Sequence, residues 1–192
     1  MVTRIGVLLD WRSYSSMPDE SATPPIPPSV ARVLKYFRAL SREDKMQALV
    51  HYSKQLEPLP QRFQHLDRSA YTIPECQTRV DLFPEVRPDG NLHFYADVDT
   101  RTSPTIAAFL SVVLAAVNDH PPSVALAIPP DFVRQMMESI GLGTREVGLE
   151  AMVRRIKRDA AGAQLAIQTG SDTSPAPPAK NDVPAGAPTA RR

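Results

Sequence analysis

Tyr71-Thr72-Ile73-Pro74-Glu75-Cys76-Gln77-Thr78-Arg79-Val80-Asp81-Leu82 is the stretch in which the apolar pattern of the chain changes period. Apolar residues alternate at Tyr71 and Ile73, again at Val80 and Leu82, and once more at Leu92, Phe94 and Ala96. A period of two places side chains on alternate faces, so these runs read as strands. Pro88-Asp89-Gly90 supplies the turn between the last two. About three short antiparallel strands result, with Cys76 in the connection between the first two. Pro74 restricts the backbone there, which argues against strand pairing continuing through the cysteine.

On both sides of this stretch the period is helical. Val30, Val33, Leu34 and Phe37 lie on one face behind Pro28, a residue suited to a helix start. Ser41 with Asp44 three residues on approximates a capping box, and Met46, Leu49, Val50 and Leu56 follow as a second apolar face. Ser103-Pro104 opens the widest face, from Ile106 to Val117, which is expected to be the central helix and to end before Pro121-Pro122. Pro129-Pro130 introduces another helix with Phe132, Val133, Met136, Met137 and Ile140, and Gly141 is its expected C-cap. Thr144 can cap the last helix, with Val147, Met152, Val153 and Ile156 facing inward. The class is α+β, a small antiparallel sheet packed on one side by helices.

The ends differ from the middle. Pro24, Pro25, Pro27 and Pro28 crowd one end; Pro175, Pro177, Pro178, Pro184 and Pro188 crowd the other. Such tracts carry too little apolar surface to offset ordering entropy, so residues 1–28 and 161–192 read as flexible around a domain at 29–160. Met17, just before the first tract, is a candidate start. The 22 basic and 21 acidic side chains give no basic excess for nucleic acid or an anionic membrane. No apolar run approaches the ~20 residues of a membrane span. Ile5-Gly6-Val7-Leu8-Leu9 is too short for a signal peptide, and one cysteine allows no internal disulfide; both point to the cytoplasm.

Chemistry-bearing motifs are few. There is no Gly-rich phosphate loop, no nucleophile elbow and no paired metal-ligand spacing. His51, His65, His93 and His120 are scattered without local partners and read as ordinary surface or half-buried histidines. A lone cysteine is more often a small buried apolar side chain than a nucleophile. Around Cys76 the polar flanks and Arg79 narrow that gap, because a nearby cation favours thiolate, whereas Glu75 works the other way. The residues alone leave Cys76 undecided.

Glu75-Cys76-Gln77-Thr78-Arg79-Val80 resembles the active-cysteine segment of the SufE family, the Fe–S metabolism-associated domain. Asp97-Val98-Asp99 is similar to the family's acid-x-acid segment. Gly148-Leu149-Glu150-Ala151-Met152 with Val153-Arg154-Arg155-Ile156 is similar to its C-terminal helix signature, and Arg145 matches the family's arginine. The likeness covers about Val30 to Arg158. It departs at Glu75 and Asp81, where many members have glycine and an aromatic, and at the longer Thr100–Pro104 segment, as in a divergent branch of the family.

The resemblance implies a SufE/IscU-like fold and an accessory protein carrying a covalent persulfide, rather than a stand-alone enzyme. Its partner is a SufS-like cysteine desulfurase, which holds the pyridoxal phosphate; this chain needs no cofactor or metal. Sulfur taken onto Cys76 then passes to an iron–sulfur scaffold such as a SufBCD-type complex. Gln77, Arg145, Asp97 and Asp99 are implied as supporting residues, against plainer readings as a turn residue, a surface ion pair and strand-end caps. Arg154, Arg155, Lys157 and Arg158 read as a solvated face near a helix C-terminus or, alternatively, a docking surface. Three rivals stand beside this: a cluster scaffold, which one cysteine per chain makes improbable; a thiol redox sensor; and an interaction module in which Cys76 is incidental.

Overall fold

In the computed structural model, residues 25–141 and 145–170 are described. Helices α1 (Pro28–Ala39) and α2 (Arg42–Tyr52) follow one another through Leu40-Ser41. Instead of closing on each other as the expected packed hairpin, both pack on the helix at 104–117, with Phe37 and Tyr52 in ring contact between them. Pro28 occupies the first turn of α1, and Ser41 caps α2 by accepting from the Asp44 N–H at 3.1 Å. A short helix α3 (Gln61–Gln64) and a 3₁₀ turn (Arg68–Ala70) lead into strands β1 (Asp81–Val86) and β2 (Leu92–Asp97). Helices α4 (Pro104–Val117), α5 (Pro122–Leu126), α6 (Phe132–Met137) and α7 (Glu146–Thr169) complete the chain.

The ladder is antiparallel, running from Asp81 opposite Asp97 to Val86 opposite Leu92. It closes through a turn in which Gly90 adopts φ +80°, a conformation open to glycine at little cost. Two strands form rather than about three. The expected first strand is reduced to one bridge, Thr72 to Asp81, with the Leu82 N–H donating to the Tyr71 carbonyl at 2.9 Å. Backbone groups alternate in direction along a strand, so residue 84 faces the same edge as Leu82. Pro84 has no N–H to give, and pairing stops there.

Helix α4 is the centre of the core, as its pattern predicts: every residue from Ile106 to Val117 except Ala115 is buried. It packs with α1, α2 and the inward face of the sheet, where Leu82, Phe94 and Ala96 join the main apolar cluster. The opposite face is also covered. Phe83 and Tyr95 pack there with Phe63 and Tyr71, the Tyr71 and Phe83 rings stacking at 4.6 Å between centroids.

Several local expectations change. Leu49 is buried as expected, but Met46 and Val50 are 46% and 55% exposed, because α2 turns Lys45 inward beside Leu49. The Lys45 ammonium donates to the Glu138 carbonyl at 2.7 Å, which satisfies the charge where it is buried. Val147 is 60% exposed, while its neighbours Gly148 and Leu149 are buried. Pro121-Pro122 follows the end of α4 and also starts α5. Helix α6 stops at Met137, before Gly141, with Ser139 at φ 70°. Thr144 lies outside the described residues. Helix α7 runs past residue 160 to Thr169, so Arg154–Arg158 sit mid-helix rather than near a C-terminus. No helix among the described residues is long and apolar enough to cross a membrane.

Candidate functional site

The cysteine loop begins and ends on buried apolar residues. Ile73 and Val80 are inside the main core, and the Ile73 N–H donates to the Val80 carbonyl at 2.9 Å. Between them the chain must leave the core and return, and Pro74 starts that excursion. The Cys76 N–H turns back to the Ile73 carbonyl at 3.4 Å, which sets the side chain half-buried against the edge of the core.

Asp81 secures the base of this loop. Its carboxylate is 1% exposed, and it accepts from Arg79 at 3.1 Å, from Arg68 at 3.3 Å and from the Thr72 hydroxyl. A carboxylate in place of an aromatic at this buried position is thus compensated by two guanidinium groups and a hydroxyl. At the tip, the Thr78 and Ser103 hydroxyls are 2.9 Å apart. Ser103 stands at the N-cap of α4 but makes no side-chain cap bond; its hydroxyl ties the loop to the helix.

Cys76 lines a cavity of about 200 Å³ together with Thr78, Ser103, Ile106, Arg145 and Gly148. Its walls are the loop itself, the first turn of α4 and the first turn of α7. A helix start carries partial positive charge, which favours negative charge near it. Helix α7 passes the cysteine at Gly148. A Cβ built there meets the Cys76 Sγ at 3.5 Å, its Cα at 3.6 Å and its Cβ at 3.8 Å. A larger groove of about 900 Å³ lies between α7 and the aromatic cluster, but Cys76 does not line it.

The supporting residues are placed differently from one another. Arg145 is exposed at the cavity wall, and its guanidinium donates to the Thr105 hydroxyl at 3.2 Å. Gln77 also lines the cavity; it is exposed and makes no side-chain hydrogen bond among the described residues. Asp97 and Asp99 do not line it. Asp97 pairs with Arg68, which links it to Asp81. Asp99 shapes the segment entering α4. Its carboxylate accepts from the Arg101 N–H at 3.0 Å and its carbonyl from the Ser103 N–H at 2.9 Å. Those donors to the carboxylate, the Arg101 N–H first and then the Thr102 hydroxyl, hold its carboxyl below the ordinary aspartate range. Asp99 therefore positions Ser103, and Ser103 holds Thr78.

Sequence reasoning missed Arg68, Ser103 and Arg155 as determinants of the loop. Arg155 is 10% exposed rather than solvated: it donates to the Ala70 carbonyl at 2.7 Å and pairs with Asp159 at 2.7 Å. Lys157 reaches the Ile128 carbonyl, and burial pulls its ammonium below the ordinary lysine range. Arg154 and Arg158 are exposed, as expected. His93 is buried with partners distant in sequence, Glu57 at 3.0 Å and Asp119 at 2.9 Å. No group of three or more His, Cys, Asp or Glu among the described residues is arranged to hold a metal ion.

The family model for SufE, the Fe–S metabolism associated domain, matches residues 31–160. The chain belongs to the SufE family. Its relatives include an uncharacterized SufE-like protein of Mycobacterium tuberculosis, 31% identical over 137 residues, which span 69% of this chain and 92% of that protein. The sulfur acceptor protein CsdE of Escherichia coli is 30% identical over 119 residues, 59% of this chain and 75% of CsdE. A solution structure of a hypothetical protein from Thermus thermophilus aligns with a TM-score of 0.63 at 26% identity, covering 73% of this chain and 99% of the other. The matched span contains Cys76, Asp81, Asp97, Asp99, Arg145 and Gly148. Of these residues, Cys76, Arg145 and Gly148 meet at one cavity.

Proposed function

We propose that this SufE-family protein accepts sulfur from a cysteine desulfurase onto Cys76, stimulates that enzyme's turnover and passes the sulfur on for iron–sulfur cluster assembly in the cytoplasm. The observation that carries the reading is the placement of the chain's single cysteine, half-buried at a cavity between two helix N-termini, within the span matched by the family. The likeness to a sulfur acceptor protein supports it.

The chemistry is thiol–persulfide exchange. The Cys76 thiolate attacks the outer sulfur of the donor persulfide. A new S–S bond forms at Cys76, the donor's S–S bond breaks, and the donor leaves as a thiolate with the electron pair. One S–S bond is made for one broken, so no oxidant or reductant is consumed. Pyridoxal phosphate belongs to the desulfurase, and this chain needs no cofactor for the step. A second cysteine would let the carrier lose its cargo by closing an internal disulfide; a single cysteine avoids that loss. Delivery follows by the same exchange onto an acceptor thiol of a scaffold, with a SufBCD-type complex as the recipient.

The test is sulfide release from cysteine by a SufS-type desulfurase, with and without the full-length protein, comparing wild type with Cys76→Ser. Stimulation that disappears in the variant, together with a gain of one sulfur in the intact mass of the wild type, is the expected result. Unchanged turnover and unchanged mass overturn it.

A further inference from the structure

Gly148 is the third residue of α7, and it is buried and in helical conformation. Glycine is the poorest helix former after proline, and its usual justifications do not apply here. The backbone at this position is not left-handed. Nor does the resting cysteine need the space: an added Cβ would make only ordinary van der Waals contacts with Cys76, at 3.5–3.8 Å. Neither the fold nor the free thiol accounts for the glycine.

A loaded Cys76 changes this. A second sulfur extends about 2.05 Å beyond Sγ. The added methyl would lie alongside the cysteine's Cα, Cβ and Sγ together. A terminal sulfur turned toward α7 would then fall well inside the roughly 3.5–4.0 Å at which non-bonded heavy atoms touch. Gly148 and Arg145, at the start of α7, both line the cavity on that side, and a helix start favours negative charge near it. We infer that Gly148 is a positioning residue for the loaded state: its missing side chain is the space in which the terminal sulfur of a Cys76 persulfide rests. This rests on the carrier reading and adds where the cargo sits and which residue admits it.

The test uses full-length wild type and Gly148→Ala. Each is loaded by a desulfurase with cysteine, desalted and exposed to a phosphine reductant, while intact mass follows the extra sulfur. Thermal unfolding of the unloaded proteins is read in parallel, with Val147→Ala as an exposed neighbouring control. The expected result is opposite in sign for the two readouts. The alanine variant melts at the same or a higher temperature, because alanine favours helix. It loses its extra sulfur about tenfold faster than wild type, because the terminal sulfur is crowded out of its shelter. Equal rates of sulfur loss, or a lower melting temperature in the variant, overturn the inference and leave the carrier reading intact. A wild type that takes up no sulfur removes the carrier reading and this inference with it.

Discussion

At its base the Ile73–Val80 loop is closed by two buried apolar side chains and by Asp81, whose carboxylate meets Arg68, Arg79 and Thr72. At its tip, among the described residues, the side-chain tie is the hydroxyl pair of Thr78 and Ser103. Glu75 and Gln77 are exposed beside it. The base is held by burial and charge, which open together with the fold. A single hydroxyl pair can open alone, at a cost near that of one hydrogen bond. A carrier that hands over a sulfur atom benefits from this division: the base fixes where Cys76 points, and the tip can yield to a partner without unfolding the sheet.

If the base is held as described, Asp81→Ala has the largest effect. It removes the acceptor shared by Thr72, Arg68 and Arg79, while the two arginines remain partly solvated, so the cost is about 2–3 kcal/mol. Thermal unfolding should fall by roughly 4–12 °C in a chain of this size. A change within experimental error would mean that the carboxylate contributes nothing to closing the loop.

Arg155→Met comes next, at about 2 kcal/mol near neutral pH, because it removes the donors to the 70–72 backbone and leaves Asp159 buried without its main partner. Burial pushes the Asp159 carboxyl above its ordinary range, and the hydrogen bond from Arg155 opposes that. A carboxyl raised in the folded state stabilises most at low pH, and the contribution is lost as pH rises through the folded value. The variant's deficit in urea unfolding should therefore be smaller near about pH 4 than near about pH 7. A deficit independent of pH would assign the loss to the backbone contacts alone.

Local pattern makes much of this architecture readable. Pro28, the Ser41–Asp44 cap and the apolar run from Ile106 to Val117 each specify a helix through neighbours a few residues away, and all three helices form there. Pro74 and the change of period place Cys76 in a connection. What cannot be read this way depends on partners far along the chain. Lys45 is buried because a carbonyl at Glu138 receives it, and Arg155 because carbonyls at Ala70 and Thr72 do. A lysine or arginine in a helical pattern carries no local sign of such an acceptor, so periodicity gives Met46, Val50 and Val147 the burial that other residues take. The third strand fails for a reason that is visible, Pro84, but its effect depends on which edge faces outward, and pairing alone decides that. At the site, the meeting of Cys76 with Gly148 joins residues far apart in sequence, and only the family likeness hints at it.

The smallest expected effect probes the tip. Ser103→Ala removes one hydroxyl from a pair that is only partly buried, so the global cost is about 0.5–1 kcal/mol. The consequence for the cysteine should exceed the consequence for the fold. Opening of the tip is a local event, and losing its tie shifts that equilibrium by the full worth of the bond. The alkylation rate of Cys76 in the folded protein should then rise roughly two- to fivefold, with thermal unfolding changed by only a few degrees. Thr78→Val removes the partner hydroxyl and should give the same increase, and the double variant should add little to either, because both act on one bond. Additive increases would show that the two hydroxyls hold the loop through separate contacts. No increase in any of the three would mean that the tip is fixed by the turn at Ile73 and by packing against α7, and the contrast between base and tip would vanish.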